Sequence, residues 1–179
     1  MLTIRLVTCL CLLLFGAIPC TGGSTWTIVN LARCGPSTRR KIYKHRRTAY
    51  QLWRNFEEVA ERCISNGGLI AFEWPRGCMY WHWRRVKAFI ERHKLIQCNF
   101  DGCQYGLPSI NPSTLGKPIM KPWRICTNMS SLQPLLSARC KREHKHVTCQ
   151  GMDTKPSEDY TPAIAEAIHN AWRQHTNTL

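Results

Sequence analysis

"LLLFGAIPCTGGSTW", residues 12–26, decides the fold, because it supports two readings that exclude each other. In the first, Leu6 to Ile18 is the apolar centre of a secretory signal peptide, with cleavage near Gly23. In the second, residues 6–18 form the first strand of a parallel sheet, apolar on both faces. That strand then delivers a Pro-Cys loop, residues 19–26, to a functional edge. The run is too short to cross a bilayer under either reading.

Secretion has its own support. Arg5 precedes the apolar run and small residues follow it. Removing Cys9, Cys11 and Cys20 with a leader would leave eight of the eleven cysteines, an even number suited to disulfides. Asn128-Met129-Ser130 would then be a glycosylation sequon. Against this, the cysteines are scattered singly through patterned segments, as small buried hydrophobes are.

The rest of the chain reads as alternating strands and helices. Ile42, Ala49, Leu52, Trp53, Phe56, Val59, Ala60 and Ile64 fall at helical spacing, which predicts a helix from about Thr38 to Ser65. "NGG" at 66–68 stops it. "LIAFEWP" (69–75) reads as a buried strand ended by proline. "WRRVKAFIERHK" (83–94) is an amphipathic helix, "LIQCNF" (95–100) a third strand and "WRICTN" (123–128) a fourth. A Gly/Pro-rich loop separates the last two. A short helix is expected around "SLQPLLSARC", with Pro134 near its first turn. The final helix, 161–173, opens with Thr161 as N-cap and Pro162 at its first position. The order predicts one α/β domain over residues 1–179, a parallel sheet with helices on its faces and a terminal antiparallel strand pair. In such sheets the site lies at the carboxyl ends of the strands.

A composition that is 44% hydrophobic with no low-complexity tract argues against disorder. Twenty-five Lys and Arg against 11 Asp and Glu give a net charge of +14, a field that suits nucleic acid or another polyanion. The basic residues cluster at 39–47, 83–87 and 139–146. The interleaved aromatics Trp74, Tyr80, Trp81 and Trp83 are candidates for stacking on bases, with core packing as the bland alternative.

Three groups of residues suggest chemistry. Cys20, in a loop of small residues, is a candidate nucleophile or merely a half-cystine. Glu73 is an acid among apolar neighbours, costly there unless hydrogen-bonded or functional; the alternative is an ion pair with Arg76. Cys140, His144, His146 and Cys149 offer four soft ligands, although their spacing matches no common zinc finger, and no metal is assigned from it.

Four stretches, in order, resemble one family. "GAIPCTGGS" is similar to the Gly-x-Pro-Pro-Cys-Gln-x-x-Ser loop of cytosine-5 DNA methyltransferases, members of the class I S-adenosylmethionine-dependent superfamily. "FEWP" resembles that family's Glu-Asn-Val motif, with Trp74-Pro75 in place of Asn-Val. "CQYGLP…KPIMKPWRICTN" is similar to its Tyr-Gly-Val-Pro-Gln-x-Arg-x-Arg segment, and "YTPAIAEAI" to its closing Val-Pro-Pro-x-Leu-Ala-x-Ala-Ile helix. Methyltransferase-like open reading frames of invertebrate genomes, often retroelement-associated, look closer still, with "IPCTGGSPW" and "EWP" runs. The resemblance implies the second half of a Rossmann-like class I methyltransferase fold. It implies catalytic roles for Cys20, attacking C6 of a flipped cytosine, for Glu73, holding its polar edge, and for Arg124. Ser24, Arg76 and Lys121 would bind substrate. The implied partner is nucleic acid, DNA before RNA, and the implied cofactor is S-adenosylmethionine. The family's Gly-rich cofactor loop and ribose-binding acid have no counterpart here. The expectation is therefore a truncated domain that binds nucleic acid, with another chain supplying the missing half-sheet. The resemblance selects the strand reading of residues 6–18 and an intracellular location, nuclear or cytoplasmic; a secreted, basic, disulfide-bonded binding protein is the alternative.

Overall fold

The computed structural model describes residues 12–177. The first strand, β1, is Leu13–Gly16, shorter than the expected 6–18; residues 6–11 lie outside the described ones. The chain leaves the sheet at Ala17, and a helix that periodicity did not predict, α1, covers Thr25–Arg33. Thr25, Thr27, Ile28 and Val29 are β-branched, which masks a helix at the sequence level. The loop is thus shorter than 19–26, and Ser24 is the N-cap of α1.

Helix α2 (Pro36–Ser65) begins two residues before the expected start, with Pro36 in its first turn. β2 is Leu69–Pro75, α3 Arg84–Arg92, β3 Ile96–Asp101 and β4 Pro122–Thr127. The helix expected around "SLQPLLSARC" is a single turn, α4 (Leu132–Leu135), and the chain is largely irregular from there to Thr161. α5 (Pro162–Thr176) is capped as expected: Thr161 Oγ1 accepts from the Ile164 N–H at 3.3 Å.

The sheet has the order β1-β2-β4-β3 and is mixed, which corrects the parallel sheet expected from strand–helix alternation. β1 and β2 are parallel, while β4 is antiparallel to both β2 and β3. β1, β2 and β3 therefore share one direction. The crossover through α3 leaves a gap one strand wide between β2 and β3, and the long return after β3 fills it with β4. The expected antiparallel terminal pair is β3–β4.

Strand alternation separates two cores. Ile70, Phe72 and Trp74 face α2 and α3, packing with Trp53, Trp81 and Phe89. Leu69 and Ala71 face the other way and join Phe100, Trp123, Ile125, Leu132 and Ile164. Glu73 lies in register with Ile125, on this second face. No helix among the described residues is long and apolar enough to cross a membrane.

Candidate active site

The Pro-Cys loop is pinned from several sides. Trp74 Nε1 donates to the Ile18 carbonyl at 2.7 Å, fastening the end of β1 to β2. The Met79 N–H donates to the Gly23 carbonyl at 2.8 Å, and Arg46 Nε to the Gly22 carbonyl at 2.9 Å. The two glycines are needed for close approach. A Cβ on Gly22 would sit 2.9 Å from the Arg46 backbone nitrogen, and one on Gly23 would sit 2.8 Å from Cys78 Sγ. The loop thus lies directly on α2 and on the turn after β2.

Cys20 and Glu73, remote in sequence, line one cavity at the carboxyl ends of β1 and β2. Its volume is about 390 Å³, within the range of about 300–1,000 Å³ usual for small-ligand sites. Ala17, Ile18 and Pro75 supply apolar wall; Lys121, Trp123, Lys155 and Glu158 complete it. Lys121 donates its ammonium protons to the Ser157 carbonyl and stands 4.8 Å from the centre of the Trp123 ring. Lys155 and Glu158 pair at 2.6 Å.

Burial dominates the electrostatics. Glu73 is pushed up from 4.5 to about 7 by desolvation, which Lys121 and the Tyr160 hydroxyl oppose. Neither Glu73 Oε2 nor the Tyr160 hydroxyl has a hydrogen-bond partner of normal geometry among the described residues. Tyr160 is directed at the Glu73 carboxyl and does not line the cavity, so the buried polar group the cavity offers a ligand is the Glu73 carboxyl. The Cys20 thiol is raised too, first by burial and then by the Glu73 carboxylate, with Lys121 opposing. Cys20 rests as a thiol at neutral pH, and protonating Glu73 removes a charge that disfavours its thiolate. The cavity combines a soft nucleophile, a carboxyl that titrates near neutrality, and a cation.

The other candidates disperse. Arg124 pairs in register with Trp74, on the sheet face opposite Glu73. Its Nε donates to Asn99 Oδ1 at 2.9 Å and its guanidinium lies 5.4 Å from the Trp81 ring centre. Arg76 does not pair with Glu73; its Nη1 lies 3.9 Å from Asp101 Oδ1. Ser24 caps α1 and does not line the cavity. Trp74, Tyr80 and Trp81 are buried, so the bland reading holds for three of the four stacking candidates; the partly exposed Trp83 stacks on Tyr80 at 4.1 Å. Lys155, Glu158 and Tyr160 were missed, because they sit in or beside an irregular segment with no periodicity to read.

Two features bear on the secreted alternative. Cys20, Cys34, Cys78, Cys98, Cys103, Cys126, Cys140 and Cys149 are free thiols. Asn128 accepts from the Ile70 N–H at 2.8 Å and donates to the Gly68 carbonyl at 3.2 Å, so its amide closes the start of β2. Comparison with family models, with curated proteins and with solved structures returns no match.

Proposed function

We propose that this chain is a cytosine-5 DNA methyltransferase-like, nucleic-acid-binding protein whose cavity takes an extruded pyrimidine between Cys20 and Glu73. The observation that carries the reading is the convergence of those two side chains in one cavity, each drawn from a different motif of the resemblance. Glu73, titrating near 7, suits a base edge that presents both a ring nitrogen and an amino group.

Affinity for the polyanion would come from α2 and α3. Arg46, Arg47 and Arg84 line a second cleft, of about 760 Å³, between these helices, where Arg85 and Arg92 are paired with Glu57. Arg46 links that cleft to the Pro-Cys loop through Gly22. Arg124, on the opposite face of the sheet, and Arg76, in the turn after β2, would act from outside the cavity. An intracellular location goes with this reading.

The described residues do not fit S-adenosylmethionine. The groove beside β1, of about 440 Å³, is lined by Leu13, Phe15, Tyr160, Ala165, Ile168, His169 and Trp172, with no carboxylate to take ribose hydroxyls. The activity proposed is therefore base binding with thiol addition, and no methyl transfer is derived. β1 is an edge strand among the described residues, and a second polypeptide supplying further strands would pair there.

The test is covalent trapping on a single-stranded DNA oligonucleotide carrying 5-azacytosine. The Cys20 sulfur bonds to C6, the ring electrons move to N5, and N5 takes up a proton, so no methyl donor is required. A denaturation-resistant adduct with the parent chain that is lost in Cys20→Ser supports the reading. An adduct that survives in Cys20→Ser removes the role of Cys20. No adduct, together with no binding of DNA or RNA, removes the function.

A further inference from the structure

Outside the cavity lining, the turn after β3 meets the irregular segment that follows α4. Cys103 comes from the turn Gly102–Tyr105, and Cys140, His144 and His146 come from the segment. One ligand atom from each lies within 4.8 Å of all the others. Cys140 Sγ is 3.4 Å from His146 Nε2 and 3.8 Å from His144 Nε2, and His146 Nε2 is 3.3 Å from Cys103 Sγ.

We infer that these four side chains form a tetrahedral zinc site. With Zn–S of about 2.3 Å and Zn–N of about 2.0 Å, a regular tetrahedron has S···N edges of about 3.5 Å and an S···S edge of about 3.8 Å. The observed S···N separations, 3.3–3.8 Å, bracket the first of these edges. Two thiolates and two imidazoles neutralise the ion, and that soft donor set selects zinc over magnesium or calcium. Binding releases the two thiol protons to solvent and leaves both cysteines as thiolates.

The surroundings are built for a thiolate. The Arg142 N–H donates to Cys140 Sγ at 3.2 Å, an outer-shell contact that holds a sulfur ligand in place. Arg142 adopts φ of 64°, a left-handed conformation uncommon outside glycine, at the bend that brings His144 and His146 back over Cys140. The approach is anchored separately: Asp101, at the end of β3, accepts from the Cys140 N–H at 2.9 Å and from Arg139 Nε at 3.0 Å.

Cys149, the fourth ligand suggested by proximity in sequence, lies elsewhere. Its sulfur is 3.0 Å from Ser157 Oγ. The zinc would tie the segment after α4 to the sheet, and that same segment carries Lys155, Ser157 and Glu158 to the cavity rim. The site stands whether or not the cavity binds nucleic acid.

The experiment is metal analysis of the full chain purified under reductant, together with cobalt substitution. The expected result is one zinc per chain and, with cobalt, the ligand-field and charge-transfer spectrum of a tetrahedral two-thiolate site. Cys103→Ser and His146→Ala should each lose the metal, whereas Cys149→Ser keeps it. The cobalt spectrum of the unmutated chain decides the matter if a variant fails to fold. Three results would overturn the site: less than stoichiometric zinc with no tetrahedral cobalt spectrum, loss of metal in Cys149→Ser with retention in Cys103→Ser, or a Cys103–Cys140 disulfide that persists under reductant.

Discussion

Glu73→Gln isolates the cost of the buried carboxylate. In the unfolded chain the group titrates near 4.5, and in the folded chain near 7. Between those values the folded state keeps a proton that the unfolded state has released, so stability falls as pH rises through the window and is flat outside it. The shift corresponds to about 3 kcal/mol at about 1.4 kcal/mol per unit. Glutamine copies the neutral acid at every pH. Any constant cost of the substitution cancels when the difference between the two proteins is followed with pH. Denaturant unfolding of both, from about pH 4.5 to about pH 8, should show Glu73→Gln gaining about 3 kcal/mol relative to the parent across the range. Titration of the other groups is common to both chains. Parallel stability curves would refute the desolvated Glu73 on which the candidate site rests.

Three further outcomes follow from the same structure. Lys121→Met removes the charge that holds Glu73 down, so the carboxyl titration, read by NMR of labelled glutamate, should move further up; an unmoved titration would separate Lys121 from the cavity. Trp53 is fully buried, with Phe56, Phe72, Trp74 and Phe89 around it; Trp53→Ala should cost about 3–5 kcal/mol in denaturant unfolding, and a cost below about 1 kcal/mol would contradict that packing. Arg47 is exposed beside the second cleft, so Arg47→Ala should lower the slope of log affinity for DNA against log salt by about 1 without changing sequence preference; an unchanged slope would mean a solvated surface.

Legibility in the sequence followed how local each cause was. β2, α3 and the cap of α5 were readable because burial, amphipathic spacing and the Thr161-Pro162 pair act within a few residues. The sheet order was not, because the insertion of β4 between β2 and β3 depends on where a long, turn-rich return comes to rest. α1 was hidden by its β-branched residues, which hold their helical form through Thr27 buried beneath the Pro-Cys loop and its Oγ1 bond to the Ser24 carbonyl at 2.7 Å. Cys20 and Glu73, which line one cavity, were legible as candidates because each stands out in its own stretch: a cysteine among small residues, an acid among apolar ones.

The metal set shows the converse. Chain proximity grouped Cys149 with Cys140, His144 and His146, but a ligand set is chosen in space. The turn after β3 offers Cys103 at the point where Asp101 has already fastened the incoming segment through the Cys140 N–H. Cys149, past the parallel bridge of Val147 to Ile119, is directed toward Ser157 instead. One change of partner therefore separates a basic loop with stray histidines from a cross-link between the sheet and the rim of the cavity. The zinc cross-link holds the cavity's Lys155 and Glu158 in addition to their own short helical turn. Chelating the metal should then loosen the rim before it loosens the strands, and hydrogen exchange would register this as protection lost first over residues 150–160.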